Sequence, residues 1–226
     1  MNNLYKNTGR IVGSFLLFGL FLGMYNNLVL LGPISFSDEF LTKMGENYNS
    51  VISSVLLSLV TGTFSLIVAV LVYPPFKKYS QSLAILYVAF CIVKFAFGIV
   101  DNAAIFALLA VSSEFLKAGA TDQTSYQLLG KVIENARELT HFTDILFALL
   151  AYILFFYLLL KTKLIPLFFI IFGFLASFTS ATEMILNLYG IHHKWHFLML
   201  MPLALCQLLY SIWLIIKGFS YVEKLD

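Results

Sequence analysis

The chain has 226 residues, of which 60% are hydrophobic and 12% charged, with a formal net charge of +2. Ordinary soluble domains are about 25% charged, so this composition cannot cover an apolar core with a water-facing surface, and a soluble globular fold is excluded. The basic residues are dispersed near the ends of apolar segments, which also excludes a nucleic-acid-binding patch.

The sequence predicts an all-α polytopic transmembrane helical bundle, a single domain over residues 1–226, located in the cell membrane. Its six spans fall at about 11–31, 50–73, 82–112, 141–160, 164–189 and 196–217, each near the ~20 apolar residues that a crossing needs. The first is too long for a cleaved signal peptide, and Asn26, Asn27 and Pro33 follow it instead of a small-residue cleavage site. Gly9 with Gly13 and Gly19 with Gly23 are Gly-x-x-x-Gly pairs that permit close helix approach. That approach is either within the bundle or, through the Gly19/Gly23 face, to a second copy as a homo-oligomer. Between spans one and two, Asp38–Glu46 reads as a short outer-surface helix with Ser37 as its N-cap. From Ser82 to Leu116 the chain is one apolar run without a turn signal at Asp101-Asn102, so the third span is one long helix. An amphipathic outer-surface helix then leads into span four: Tyr126, Leu129, Val132, Ile133, Ala136 and Leu139 recur at helical spacing between Lys131, Glu134, Arg137 and Glu138.

Charge at the span ends sets the orientation. Lys6, Arg10, Lys77, Lys78, Lys161, Lys163, Lys217 and Lys224 flank one set of ends; Asp38, Glu39, Glu46, Glu114, Asp122, Glu134 and Glu138 flank the other. By the positive-inside rule both termini are cytoplasmic.

Counting about 1.5 Å of rise per residue from the cytoplasmic ends places a polar layer at ~20–31 Å depth. It comprises Asn26, Asn27, Ser54, Lys94, Asp101, Asn102, His141, Asp144, Glu183, Asn187 and His196. Ionisable groups within spans cost about 2.5–3.5 kcal/mol each at mid-span and turn toward the bundle interior or water. Lys94, Gly98 and Asp101 share a helix face, as do Thr179, Ser180, Glu183 and Asn187. Lys94 is expected to pair with Glu183 or Asp144, either as a packing ion pair or as part of a ligand site. The candidate pocket residues are therefore Lys94, Asp101, Asn102, His141, Asp144, Glu183 and Asn187. Glu138 and Asp144 lie three residues to either side of His141, and His192 and His196 are four apart. A zinc ion held by His141, His192, His196 and Asp101 is one reading of that spacing; solvated or carboxylate-bonded histidines are the other. Cys91 and Cys206 carry no partner motif for a disulfide or metal.

Asn7-Thr-Gly-Arg-Ile-Val-Gly13, Asp101-Asn102 in the third helix, His141 heading span four and Lys163-Leu-Ile-Pro-Leu167 together resemble a bacterial family of small six-span membrane proteins known as a domain of unknown function, the 4386 type. The resemblance covers nearly the whole chain and implies the fold without an activity. A looser similarity, through His192-x-x-x-His196 with His141, Asp101, Asp144 and Ser54, is to alkaline-ceramidase-like membrane hydrolases. It implies a zinc centre, but six spans stand here in place of seven. The leading functional expectation is binding or sensing of a small ligand, proton or ion in an outward-facing polar pocket, with membrane lipid as the other partner. A zinc-dependent hydrolase of a lipid amide or ester is the alternative, and a small-solute transporter the second alternative, disfavoured because no inverted repeat is visible.

Overall fold

The computed structural model describes residues 2–118, 123–191 and 195–220. Among the described residues every regular element is helical: α1 (Asn2–Tyr25), a π-helical turn (Asn26–Leu30), α2 (Gly32–Ser35), α3 (Phe40–Glu46), α4 (Tyr48–Tyr79), α5 (Gln81–Lys117), α6 (Gln123–Thr162), α7 (Leu167–Leu188) and α8 (His196–Lys217). Six helical stretches are long and apolar enough to cross a membrane. In hydrocarbon every backbone N–H and C=O must find its partner within the protein, a demand a helix meets by itself. The protein is a multi-pass membrane protein with six spans.

Several boundaries differ from expectation for identifiable reasons. The first helix starts at Asn2 instead of Ile11, and its apolar stretch ends in a π turn in which the Leu31 N–H donates to the Asn26 carbonyl at 2.9 Å. Gly32 follows because any Cβ there would strike the Asn27 carbonyl oxygen. Helix α3 begins at Phe40, with Glu39 as its N-cap. Ser37 is not that cap; its hydroxyl accepts the Glu39 N–H at 3.3 Å. Helix α4 runs through Pro74 and Pro75 to Tyr79 instead of stopping at Tyr73; each proline gives up one internal bond, to the carbonyls of Val70 and Leu71, and the helix continues past them. Ser80 alone separates α4 from α5, and its hydroxyl accepts the Leu83 N–H at 3.4 Å. Helix α5 passes through Asp101-Asn102 unbroken over 37 residues, about 56 Å. The amphipathic segment and span four are one helix of 40 residues.

The chain forms two compact units, one comprising Met1–Leu20, Thr63–Lys94 and Ile145–Asp226, the other Phe21–Gly62 and Phe95–Asp144. In the first, Phe76, Tyr87, Phe155, Phe156 and Tyr210 build an aromatic core. Its edge-to-face contacts include Phe76–Tyr87 at 5.7 Å and Phe156–Tyr210 at 5.9 Å. Gly173 lets the Phe156 ring lie against the α7 backbone. Gly9 and Gly13 let α1 approach the end of α8: a Cβ at Gly13 would sit 2.7 Å from Leu214 Cβ and 2.8 Å from the Ser211 carbonyl oxygen. Gly19 and Gly23 meet nothing within 4 Å. In the second unit Leu31, Ile34, Met44, Val51, Val55, Ile105, Leu108 and Leu109 form the core. Helix α3 is docked there: Leu41 and Met44 are buried, Leu41 lies against Gly130, and the Ser112 hydroxyl donates to the Leu41 carbonyl.

Candidate functional site

Within the second unit α5 and α6 meet in antiparallel order. A Cβ at Gly98 would lie 3.8 Å from Asp144 Oδ1; one turn along α5 and two turns back on α6, Asp101 meets Arg137. The Arg137 Nε is 3.3 Å from Asp101 Oδ1, close enough to pair in charge although not aligned as a hydrogen bond. Arg137 Nη1 donates to Glu134 Oε1 at 3.1 Å. The Arg137 and Asp101 side chains are 11% and 13% exposed. His141 Nδ1 lies 4.0 Å from Asp101 Oδ1, with half of the imidazole exposed, and forms the rim of the cluster. On the other side of Asp101, buried Asn102 reaches α4. The Ser58 hydroxyl lies 2.8 Å from Asn102 Oδ1 and 3.0 Å from the Val55 carbonyl, so its single proton is shared between them.

The spacing of Glu134, Arg137, His141 and Asp144 puts all four on one face of α6. The opposite face carries Leu128, Leu129, Val132 and Leu139, all exposed. A water-soluble helix would have the reverse arrangement. Lys131, Asn135 and Glu138 are exposed beside those leucines, while the charges that turn inward must be neutralised there. Arg137 supplies one positive charge against the two carboxylates it contacts. The cluster therefore retains one net negative charge when all three are ionised, and Glu134 Oε2 is buried without a hydrogen-bond partner.

Of the residues expected in a pocket, Asp101, Asn102, His141 and Asp144 all belong to this region of the second unit. Lys94, Glu183 and Asn187 belong to the first unit. There Lys94 is half-buried one turn after Cys91; Glu183 is fully buried on α7 and Asn187 is half-buried in the last turn of that helix. Asn26 and Ser54 belong to the second unit, with Asn26 Oδ1 and Ser54 Oγ buried and lacking hydrogen-bond partners. Gly190, at φ 71°, follows the end of α7, and α8 opens at His196 with Trp195 as N-cap. His192 lies outside the described residues. Among the described residues no three of His, Cys, Asp and Glu gather as a metal site would require. Arg137 is the central residue that sequence reasoning treated only as a surface charge. Its signal was the four-residue spacing to His141; Glu138, singled out at a spacing of three, is exposed.

No curated protein and no solved structure matches the chain. The family model described as a domain of unknown function, DUF4386, matches residues 11–218. Six apolar helices in the expected order and a match over nearly the whole length lead to one conclusion: the chain belongs to the DUF4386 family of membrane proteins.

Proposed function

We propose that the protein binds a proton or a small cationic ligand at the Asp101–Arg137–Glu134 cluster, reached past His141. The observation supporting this reading is the unequal charge of an interior group: two carboxylates contact one largely buried guanidinium between two helices. In low dielectric an uncompensated charge is expensive, and one proton or one monovalent cation offsets it. His141, half exposed and 4.0 Å from Asp101, would form the route from solvent. By the positive-inside rule that route opens on the outer face.

The test is thermal unfolding of the detergent-purified protein across pH and across a panel of inorganic and small organic cations at fixed ionic strength, compared with Glu134→Gln. Stabilisation by acid or by one cation that disappears in Glu134→Gln supports the reading. Identical responses in the two proteins sink it. Metal analysis of the same preparation separates the hydrolase alternative, because stoichiometric zinc lost on replacing His141 would assign these residues to a metal centre.

A further inference from the structure

A second charged surface belongs to the first unit and has the opposite sign. Lys78 Nζ lies 4.7 Å from the Tyr5 ring centroid, joining the end of α4 to the start of α1. Lys161 Nζ lies 5.5 Å from the Tyr157 centroid and 5.9 Å from that of Tyr79, joining the end of α6 to the end of α4. Gly218, just past α8, packs on the Lys6 backbone. Glu183, near the far end of α7, is the one acidic residue among the described residues of this unit. The basic residues at these helix ends therefore face no carboxylate among the described residues.

Lys161 differs from an ordinary solvated lysine. Two tyrosine rings hold its ammonium, so part of the entropy that a free side chain would lose on binding is already spent. The Tyr79 and Tyr157 hydroxyls are 3.3 Å apart. A pair of hydroxyls uses one proton in its mutual hydrogen bond and leaves the other free to donate. Beside the ammonium there is thus a spare O–H donor, and next in the chain is the exposed apolar Leu160. An ammonium over two tyrosine rings, a hydroxyl donor on that same pair and an exposed apolar residue next in the chain match a phosphate attached to acyl chains.

We propose that Lys161, Tyr79 and Tyr157 bind the phosphate of an anionic phospholipid headgroup. The ammonium meets the phosphate charge, the free hydroxyl proton bonds one of its oxygens, and an acyl chain lies along Leu160. A lysine near an anionic membrane surface contributes about 1 kcal/mol, or about fivefold in affinity.

The test is native mass spectrometry of the purified full chain mixed with equal amounts of phosphatidylglycerol and phosphatidylcholine. Preferential retention of phosphatidylglycerol is expected, with about a fivefold loss in Lys161→Gln. The Tyr79→Phe/Tyr157→Phe double variant keeps the charge, removes the hydroxyl donor and is expected to lose part of the preference. It also serves as the test should Lys161→Gln fail to fold, which lipid-free thermal unfolding would reveal. Equal retention of the two lipids by the unmodified protein overturns the proposal, as does an undiminished preference in both variants. Displacement of the lipid by millimolar inorganic phosphate overturns the lipid assignment in favour of a soluble phosphate, whereas insensitivity to it supports the headgroup.

Discussion

Helix α6 contributes to both units, and its two stretches solve the same problem in opposite ways. From Ile145 onward it buries Phe155, Phe156, Leu158 and Leu159 in an aromatic core. Before Asp144 it turns Glu134 and Arg137 inward and leaves Leu128, Val132 and Leu139 exposed. Where the helix faces lipid tails the outward requirement admits only apolar side chains, and nearer its start Lys131, Asn135 and Glu138 are exposed as well. The inward one is free. Since lipid is as apolar as leucine, burying Phe156 gains little from the hydrophobic effect, and the first unit depends on close van der Waals packing. The second unit depends on charge neutralisation in low dielectric, which removal of one partner should damage far more than removal of one methyl group.

Arg137→Met breaks the comparison most severely. It leaves Asp101 and Glu134 without their shared cation, and breaking a buried pair costs about 3–5 kcal/mol. Thermal unfolding in detergent should show a large loss, recovered in good part by adding Asp101→Asn and Glu134→Gln together, since an apolar replacement of the whole network can be nearly neutral. An unchanged unfolding temperature in Arg137→Met would mean that the interior charges contribute nothing to this unit.

Lys94→Met sharpens the contrast from within the first unit. We propose that Lys94 pairs with Glu183, the buried carboxylate of the same unit. The loss should lie toward the lower end of the range for buried pairs, about 3 kcal/mol, because Lys94 is only half-buried. Adding Glu183→Gln should restore part of it. Additive losses from the two substitutions would place the two groups in separate environments.

The number of spans and the continuity of α5 were legible in the sequence because hydropathy registers a run of apolar residues whatever their partners. The nearness of Asp101 to His141 and of Gly98 to Asp144 could be anticipated because depth follows from counting residues along a helix. The role of Arg137 could not. Helical periodicity separates the two faces of residues 126–139, but it does not say which face turns in; that depends on whether the surroundings are water or lipid. The π turn at Asn26–Leu30 was equally hidden, since it arises where the first span gives way to Gly32, a residue set by contact with the Asn27 carbonyl. Capping fared similarly: Ser37 has the side chain of an N-cap, yet the chain places Glu39 there.

The packing side of the comparison is tested by Gly173→Ala. The added methyl would occupy space filled by the Phe156 ring, which is buried and has no open side to move into. Overpacking of this kind costs about 1–3 kcal/mol. Pairing it with Phe156→Leu should recover stability by removing the ring. Failure to recover would show that the backbone of α7, and not the ring, sets the fit.

The smallest effect is expected on α1, where one helix again presents two situations. Gly13→Ala meets Leu214 Cβ and the Ser211 carbonyl oxygen, neither of which can swing aside, and should cost about 1–3 kcal/mol. Gly19→Ala enters open space and should be neutral or gain up to about 1 kcal/mol, the helix-propensity difference between alanine and glycine. These opposite signs apply to a single copy of the chain. We propose that the open Gly19/Gly23 face is where a second copy would pack, and the same substitution tests this. In a homo-oligomer using that face, the added methyl would fall in the interface, so Gly19→Ala would lower both the unfolding temperature and the mass measured by light scattering in detergent. A stable Gly19→Ala protein of unchanged mass, alongside a destabilised Gly13→Ala, would show that Gly9 and Gly13 form the packed seam and that lipid alone covers Gly19.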